Sequence, residues 1–361
     1  MTERSKQTFW LRLRKAWKEN PLVSTVMVLL LMIILQTLTI SFNIDVAKIF
    51  SGETWIESKG FADFNAWFTN FYKNWINLLR NNATVGIVAL GMTLVIISGG
   101  IDLAVGSTLV AVGAIMMVLV NENADGVLTK LGISGFPAFV IAIAAGLLVG
   151  AAIGGINGAL IAKSKLPAFI ATLGTMKIAR SVTQHCMQAV GVKVPSAFMQ
   201  ISRVKIGGQI IMPIIYWAVL AAVLYVIAKH TPFGRQIYAI GSNEKTARLS
   251  GIHVELVKML VYVIMGVLVA ISAVINISYL GSMDYANAGS GYEMDAIAAV
   301  VVGGTSMSGG KGSIIGTVFG MLIMAVMNNL LNLLGVPPFL CQAFKGFIVI
   351  LAVLLQKKET V

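Results

Sequence analysis

The stretch FPAFVIAIAAGLLVGAAIGGINGALIA fills residues 136–162 and contains no Asp, Glu, Lys or Arg. A helix of about 20 apolar residues crosses a bilayer, so this stretch is long enough to span a membrane. Comparable apolar runs lie at 21–42, 83–99, 104–120, 166–189, 210–228, 254–280, 290–307, 313–334 and 338–356. The sequence therefore predicts an all-α, polytopic membrane protein with about ten transmembrane helices.

The composition of the 361-residue chain excludes a soluble globular protein, because 57% of the residues are apolar and only 12% are charged. An ordinary soluble domain carries about 25% charged residues. Crossings joined by short connections leave few residues for a second domain. We therefore expect one transmembrane domain over residues 21–361, preceded by a short segment at 1–20.

The segment 1–20 is basic, and Trp10 and Trp17 lie among its Lys and Arg residues. This pattern is typical of an amphipathic helix on the cytoplasmic surface of a membrane. The apolar run that follows, 21–42, is longer than the core of roughly 7 to 15 residues in a cleaved signal peptide. We therefore expect it to be retained as the first transmembrane helix.

The net charge of +12 follows from 27 Lys and Arg residues against 15 Asp and Glu residues. With both termini in the cytoplasm, 16 of the basic residues fall in cytoplasmic segments, eight fall outside and three lie within crossings. Cytoplasmic loops of membrane proteins carry such an excess. The bias favours cytoplasmic termini, and it explains the charge without nucleic-acid binding.

The sequence supports neither a metal site nor a disulfide, because Cys186 and Cys341 lie in different apolar runs and there are only three histidines. The segment GGTSMSGGKGS (303–313) looks like a phosphate-binding loop at first sight. However, Thr305 and Gly312 stand where the pattern G-x-x-x-x-G-K-[ST] needs a glycine and a hydroxyl residue. We therefore expect no cofactor in this chain and no catalytic residues, and any ATP and Mg²⁺ must be bound by a partner.

The longest expected cytoplasmic loop is TPFGRQIYAIGSNEKTARLSGI at 231–252. Ser242 or Asn243 can cap a short helix, Glu244 complements its positive end, and Gly251 fits just beyond its C-terminus. The loop therefore predicts an isolated surface helix. A partner-docking element and a plain solvated loop both remain open.

The fifth apolar run carries a polar stripe at helical spacing. Its members are Lys177, Arg180, Ser181, Gln184 and Gln188. Because a cation near the bilayer centre costs roughly 2.5–3.5 kcal/mol on the insertion scale, the stripe cannot face lipid. An interhelical hydrogen-bond network and the lining of a polar translocation path are the two interpretations.

Four glycines follow one another at i+4 spacing in the run 136–162. They are Gly146, Gly150, Gly154 and Gly158. Such a row lets the backbone of another helix approach closely, so we interpret it as a helix-packing surface.

The expected outside segment at about 43–78 is longer than a tight turn and carries aromatic residues at three- and four-residue spacing. They are Phe61, Phe64, Phe68, Phe71 and Trp75. Aromatic rings favour the membrane interface. The segment therefore predicts an amphipathic interfacial helix, with a docking surface for an extracytoplasmic partner as the alternative.

Four stretches of the chain resemble the permease subunits of ribose- and galactose-type ABC importers, a family of the bacterial inner membrane. They are ALGMTLVIISGGIDLAVGS (89–107), INGALIAKSKLPAFIATLGTM (156–176), FGRQIYAIGSNEKTARLSGI (233–252) and EMDAIAAVVVGGTSMSGGKGSIIGT (293–317). They occur in the family's order, and the similarity extends from about residue 79 to 356. The segment 43–78 is longer than we expect for the family.

The resemblance implies a permease that pairs with a second copy of itself in the membrane. A cytoplasmic ATPase would bind ATP and Mg²⁺, and a periplasmic or lipid-anchored binding protein would deliver a monosaccharide. The resemblance further implies that part of the loop 231–252 is a coupling helix that inserts into the ATPase. The residues concerned are Gly241, Ser242, Asn243, Glu244, Ala247 and Gly251, with Arg248 on the same turn.

Two alternatives remain at this point. The same type of importer could carry a nucleoside, a vitamin or a furanose-like signal molecule. An ion-coupled secondary transporter would instead need acidic residues deep in the membrane. Asp102, Glu293 and Asp295 all lie near the ends of apolar runs, which disfavours that mechanism.

Overall fold

The computed structural model describes residues 21–42, 64–122, 126–187, 192 and 194–357. These residues are almost entirely helical, which confirms the all-α prediction. The helices are α1 (Pro21–Phe42), α2 (Phe64–Ile97), α3 (Val105–Val120), α4 (Val127–Lys130), α5 (Phe136–Ala162), α6 (Ala168–Met187), α7 (Ser196–Arg203), α8 (Met212–His230), α9 (Pro232–Ser242), α10 (Glu244–Leu249), α11 (Val254–Leu280), α12 (Tyr292–Val302), α13 (Ile314–Leu333) and α14 (Pro338–Lys357). Strands β1 (Lys205–Ile206) and β2 (Gln209–Ile210) form a short antiparallel hairpin between α7 and α8.

Five helices of the described residues are long and apolar enough to cross a membrane, as in a polytopic membrane protein. They are Trp67–Ile97 within α2, Phe136–Ala162, Met212–His230, Val254–Leu280 and Ile314–Leu333. Shorter apolar helical stretches occur at Thr25–Ile40, Val105–Val120 and Phe339–Ile348. Within the described part of the chain, the five clear spans are consistent with a polytopic membrane protein, and the number of ten crossings stays a prediction.

Helix α12 differs from the full-length crossing that the run 290–307 predicts. It comprises 11 residues, which at 1.5 Å per residue is about 16 Å, roughly half of a hydrocarbon core of about 30 Å. Its end is fixed by a turn in which the Gly304 N–H bonds to the Val301 carbonyl and Gly304 has a positive φ of 85°. The apolar run 290–307 continues past this turn because hydropathy does not detect the end of the helix.

Helix α2 also departs from the sequence-based expectation. An amphipathic helix and a separate crossing were expected on either side of residue 80, but one uninterrupted helix of 34 residues covers both. Trp67 stacks on Phe71, with ring centroids 5.4 Å apart, and Phe71 contacts Trp75. The basic segment 1–20, the earlier part of the outside segment (43–63) and Gln188 lie outside the described residues.

The chain divides into two compact units, and the larger one comprises residues 79–297 and 306–314. Helix α11 lies at its centre and packs on α5, α3 and α7, while α3 also packs on α5 and α6. The part of α2 from Ala83 to Ile97 is buried almost throughout. This unit holds the polar stripe, the glycine row and the loop 231–252.

The four glycines of the row on α5 are buried at helix–helix contacts of the larger unit. A Cβ atom on any of them would collide with a neighbouring element, and at Gly150, Gly154 and Gly158 the neighbour is backbone, which cannot move aside. The groups in contact are the Met116 side chain for Gly146, the carbonyl groups of Gly266 and Tyr262 for Gly150 and Gly154, and the Met259 backbone for Gly158. Three of these four contacts are between the backbones of α5 and α11.

The smaller unit comprises residues 298–305, 315–361 and those before residue 79. Here Gly303 contacts the Gly316 carbonyl so closely that a Cβ would overlap it. The Asn329 side-chain amide donates to the Asn74 side-chain oxygen at 2.7 Å. Close backbone approach and an interhelical amide bond are both typical of helices that associate within a membrane.

A test of the α5–α11 contact is the substitution Gly150→Val. Its side chain would occupy the position of the Gly266 carbonyl, and overpacking of this kind costs about 1–3 kcal/mol. We expect the Tm of the detergent-purified protein to fall by about 1–4 °C.

The matched control is Gly174→Val, because a Cβ at this mid-helix glycine of α6 meets no atom within 4 Å. Equal losses of Tm in both variants would assign the effect to helix propensity and would contradict the packing interpretation.

Candidate functional site

The loop 231–252 contains two consecutive helices, α9 and α10, where the sequence predicts one isolated helix. The chain enters α9 after Thr231, whose hydroxyl oxygen accepts from the Gly234 N–H at 3.2 Å, and Pro232 follows in the first turn. Pro fits there because the first N–H groups of a helix have no intrahelical acceptor. The sequence rules located the second helix but did not extend to the first.

Helix α10 is capped by Asn243, whose side-chain oxygen accepts from the Thr246 N–H at 3.0 Å. Of the two alternatives, Asn243 is thus the cap, while Ser242 is the last residue of α9. Gly251 follows α10 with a φ of +82°. Local capping chemistry fixes both ends of this helix.

Two ion pairs hold α10 against the first turns of α11. The Glu244 carboxylate lies 2.6 Å from the Lys258 Nζ, and the Arg248 guanidinium lies 2.5 Å from the Glu255 carboxylate. The hydrogen bond from Lys258 holds the pKa of Glu244 below its ordinary value, so this carboxylate is ionised at neutral pH. The two charged residues that the sequence singles out on α10 are therefore satisfied within the chain, and they set the orientation of the helix.

The two faces of α10 differ in what they contact. Ala247 is buried, whereas Leu249 is 89% exposed, more than any other large apolar side chain described. Sequence reasoning missed Leu249, although an apolar residue at the end of a short, charged, well-capped helix is a usable signal. The geometry therefore presents one apolar side chain on a helix whose position is fixed by ion pairs.

Gly241, in the last turn of α9, makes a close backbone contact. A Cβ at this position would overlap the Ile97 carbonyl at the end of α2. The candidate docking residues thus occupy two settings: Gly241 is half-buried against the end of α2, and the residues after Asn243 lie mostly at the surface.

The structure separates the members of the polar stripe on α6. Lys177 and Ser181 are exposed, Gln184 is half-buried and Arg180 is turned towards the connection between α11 and α12. The Arg180 guanidinium donates to the carbonyl oxygen of Ala288 at 2.8 Å and to those of Tyr285 and Ala286 at 3.3 and 3.4 Å. Arg180 therefore holds the segment 281–291, whereas Lys177 and Ser181 lie at the surface of the chain.

A second polar contact links α6 to α5, and it too was missed. The Thr175 hydroxyl donates to the side-chain oxygen of the buried Asn157 at 2.6 Å. Asn157 is a polar residue in an otherwise apolar run, which is the sequence signal for a polar interhelical contact. Arg180 of the stripe thus forms hydrogen bonds to another segment, and Thr175, on the same helix, forms a hydrogen bond to α5.

Asp102, which a secondary transporter could have used for a driving ion, has a backbone role. Its buried carboxylate accepts from the Ala104 N–H at 2.8 Å, just before α3 begins. Within the described residues, moreover, no three His, Cys, Asp or Glu side chains group so as to hold a metal ion.

Replacing Arg180 by Met should free three backbone carbonyl groups in the segment 281–291. Hydrogen bonds from a charged donor contribute about 1.5–3 kcal/mol, so we expect amide hydrogen exchange in this segment to accelerate about tenfold or more. Lys177→Met on the same helix should leave the exchange there unchanged, since Lys177 is exposed. Unaltered exchange in Arg180→Met, measured by mass spectrometry, would exclude the holding role.

The sequence of this chain is similar to those of known proteins. The family of branched-chain amino acid transport system permease components matches residues 74–353. The ribose import permease RbsC of Escherichia coli K12 is 40% identical over 80% of this chain and 88% of its own length. RbsC of Bacillus subtilis 168 is 43% identical over 80% and 85% of the two chains, and the galactose/methyl galactoside import permease MglC of Escherichia coli K12 is 35% identical over 78% and 85%.

No solved structure matches the chain significantly. The family match covers well over half of the chain, and it includes the whole of the larger unit, with the loop 231–252 and the polar stripe. The relatives span most of the same length, so the similarity is not confined to one motif. The chain therefore belongs to the family of branched-chain amino acid transport system permease components, within which it is similar to sugar import permeases.

Proposed function

We propose that this chain is the membrane-spanning permease subunit of a binding-protein-dependent ABC importer, and that it moves a monosaccharide of the ribose or galactose type into the cytoplasm. The similarity to ribose and galactose import permeases over about four-fifths of the chain supports the substrate class. The observation that carries the mechanism is the fixed helix α10 with its exposed Leu249. The chain performs no covalent chemistry.

Helix α10 is the element that docks on a separate ATPase. The ion pairs of Glu244 and Arg248 with α11 hold it in place before docking, so little conformational entropy is lost on binding. Leu249 then enters an apolar pocket of the ATPase, and burial of a Leu side chain contributes about 1.5–3 kcal/mol. ATP and Mg²⁺ are bound by that partner and not by the segment 303–313 of this chain.

The importer works by alternating access. ATP binding closes the two halves of the ATPase, the docked helices move, and a polar path between two copies of the permease switches from one side of the membrane to the other. Lys177, Ser181 and Gln184 are the side chains of the described stripe that remain available to such a path, since Arg180 is engaged.

The chain crosses the inner membrane of a bacterium about ten times and has both termini in the cytoplasm. The two-to-one excess of basic residues in the segments assigned to the cytoplasm supports this orientation. The loop 231–252 is then on the ATPase side, and the segments 43–78 and 281–291 face the binding protein. The segment 43–78 contributes to the surface on which that protein is seated.

The docking role predicts a strong effect of Leu249→Asp. A carboxylate cannot enter an apolar pocket without a large desolvation cost, so we expect the ATPase recovered with the tagged permease, and ribose uptake, to fall about tenfold or more. Leu131→Asp is the matched control, because Leu131 is also strongly exposed but lies in the connection between α4 and α5. Normal ATPase recovery in Leu249→Asp would refute docking through this helix.

The orientation predicts opposite accessibility for the same two leucines. In a variant with Cys186 and Cys341 replaced by serine, Leu249→Cys should react with a membrane-impermeant maleimide only in inside-out vesicles. Leu131→Cys should react only in right-side-out vesicles. Labelling of both cysteines from one side would overturn the proposed topology.

A further inference from the structure

Three separate chain segments meet at one point of the larger unit without any side chain between their backbones. They are the end of α2 at Ile97, the last turn of α9 at Gly241, and a glycine-rich turn that we define as residues 306–312. The Gly310 N–H donates to the Ile97 carbonyl at 2.9 Å, and the same carbonyl lies where a Cβ on Gly241 would be.

The glycine-rich turn is shaped for this contact and not for a phosphate group. Gly309 and Gly310 have φ values of +83° and +73°, so both occupy the left-handed region. A Cβ on Gly310 would lie 2.7 Å from the Ser242 Cα, and one on Gly309 would lie 3.0 Å from the Gly241 carbonyl oxygen. The turn is closed on itself by a bond from the Ser306 N–H to the Lys311 carbonyl at 3.0 Å.

One side chain reinforces the contact from the direction of α9. The Tyr238 hydroxyl donates to the Gly312 carbonyl at 2.9 Å. Helix α9 is therefore attached to the turn at two points, through the Gly241–Ser242 backbone and through Tyr238. After the turn, the chain continues directly into α13.

Contacts between backbones transmit displacement more faithfully than contacts between side chains. A side chain can change its rotamer when a neighbour moves by an ångström, whereas close-packed backbone atoms cannot yield in this way. A displacement of α9 and α10 must therefore displace the glycine-rich turn as well.

We propose that Gly241, Gly309 and Gly310 form a rigid backbone junction that passes the movement of the docking helix to the glycine-rich turn, and thereby to the start of α13. This proposal rests on the proposed docking of α10 on an ATPase. The three glycines and Tyr238 are positioning residues: they contact neither the transported sugar nor ATP. The segment that looks like a phosphate loop thus serves the coupling of ATP hydrolysis to transport by packing alone.

The test uses the complete importer, with permease, ATPase and binding protein, in proteoliposomes, and it measures the ribose transported per ATP hydrolysed. Tyr238→Phe removes one hydrogen bond and should reduce this ratio about threefold. Gly310→Ala adds a methyl group at the contact and should reduce it about tenfold or more. The amount of ATPase bound to the permease should stay unchanged in both variants, since neither alters α10.

Gly174→Ala is the control, because its Cβ would meet no neighbour within 4 Å, and it should keep the ratio of the unaltered importer. If Gly310→Ala fails to assemble, Tyr238→Phe decides. An unchanged ratio in Tyr238→Phe, even with a lowered Tm, would overturn the junction and leave only a structural role. Failure of docking itself has a different signature, namely normal ATPase recovery in Leu249→Asp, and that result would overturn both proposals.

Discussion

Helices α5 and α11 approach each other to backbone distance, and the rest of the larger unit is arranged around this contact. Inside a membrane, apolar side chains gain little by leaving lipid for another apolar surface, so helix association depends on close packing and polar contacts. Gly150 and Gly154 allow the carbonyl groups of Gly266 and Tyr262 to lie where side chains would otherwise stand. Helix α11 begins at the ion pairs with α10 and ends before the segment that Arg180 holds, so both candidate sites depend on its position.

The two ends of α11 are used in different ways because their surroundings differ. Near its start Glu255 and Lys258 are partly exposed and form ion pairs with α10. Exposed pairs of this kind contribute little to stability, and their value here is to fix the direction of α10. At its other end the carbonyl groups of the following segment accept hydrogen bonds from one nitrogen of the Arg180 guanidinium, Nη1.

The sequence predicted those elements that depend on long, uniform patterns. The bounds of α5 and α11 agree with the apolar runs 136–162 and 254–280, because α5 contains no charged residue and the two charges of α11, Glu255 and Lys258, lie near its start. The continuity of α2 was missed because Lys73, Asn74 and Arg80 interrupt its hydropathy without breaking its helix. The cap and the end of α10 could be predicted because capping depends on a few neighbouring residues. Ser242 and Asn243 are both suitable capping residues, so the choice between them required coordinates.

What the sequence could not supply is the choice of partner for each polar or charged group. Lys177 and Arg180 lie on the same helix and look equivalent in the polar stripe, yet only Arg180 faces the segment 281–291. Likewise, nothing in the local sequence shows whether Glu244 pairs with Lys258 or with a partner protein.

The engagement of Arg180 has a chemical consequence for the proposed transport of a sugar. A neutral sugar has hydroxyl groups and no charge, so a path that carries it needs hydrogen-bonding side chains that are not already saturated. In the translocation path that we propose, the engagement of Arg180 by three carbonyl groups leaves Lys177, Ser181 and Gln184 as the described side chains that would exchange hydrogen bonds with the sugar.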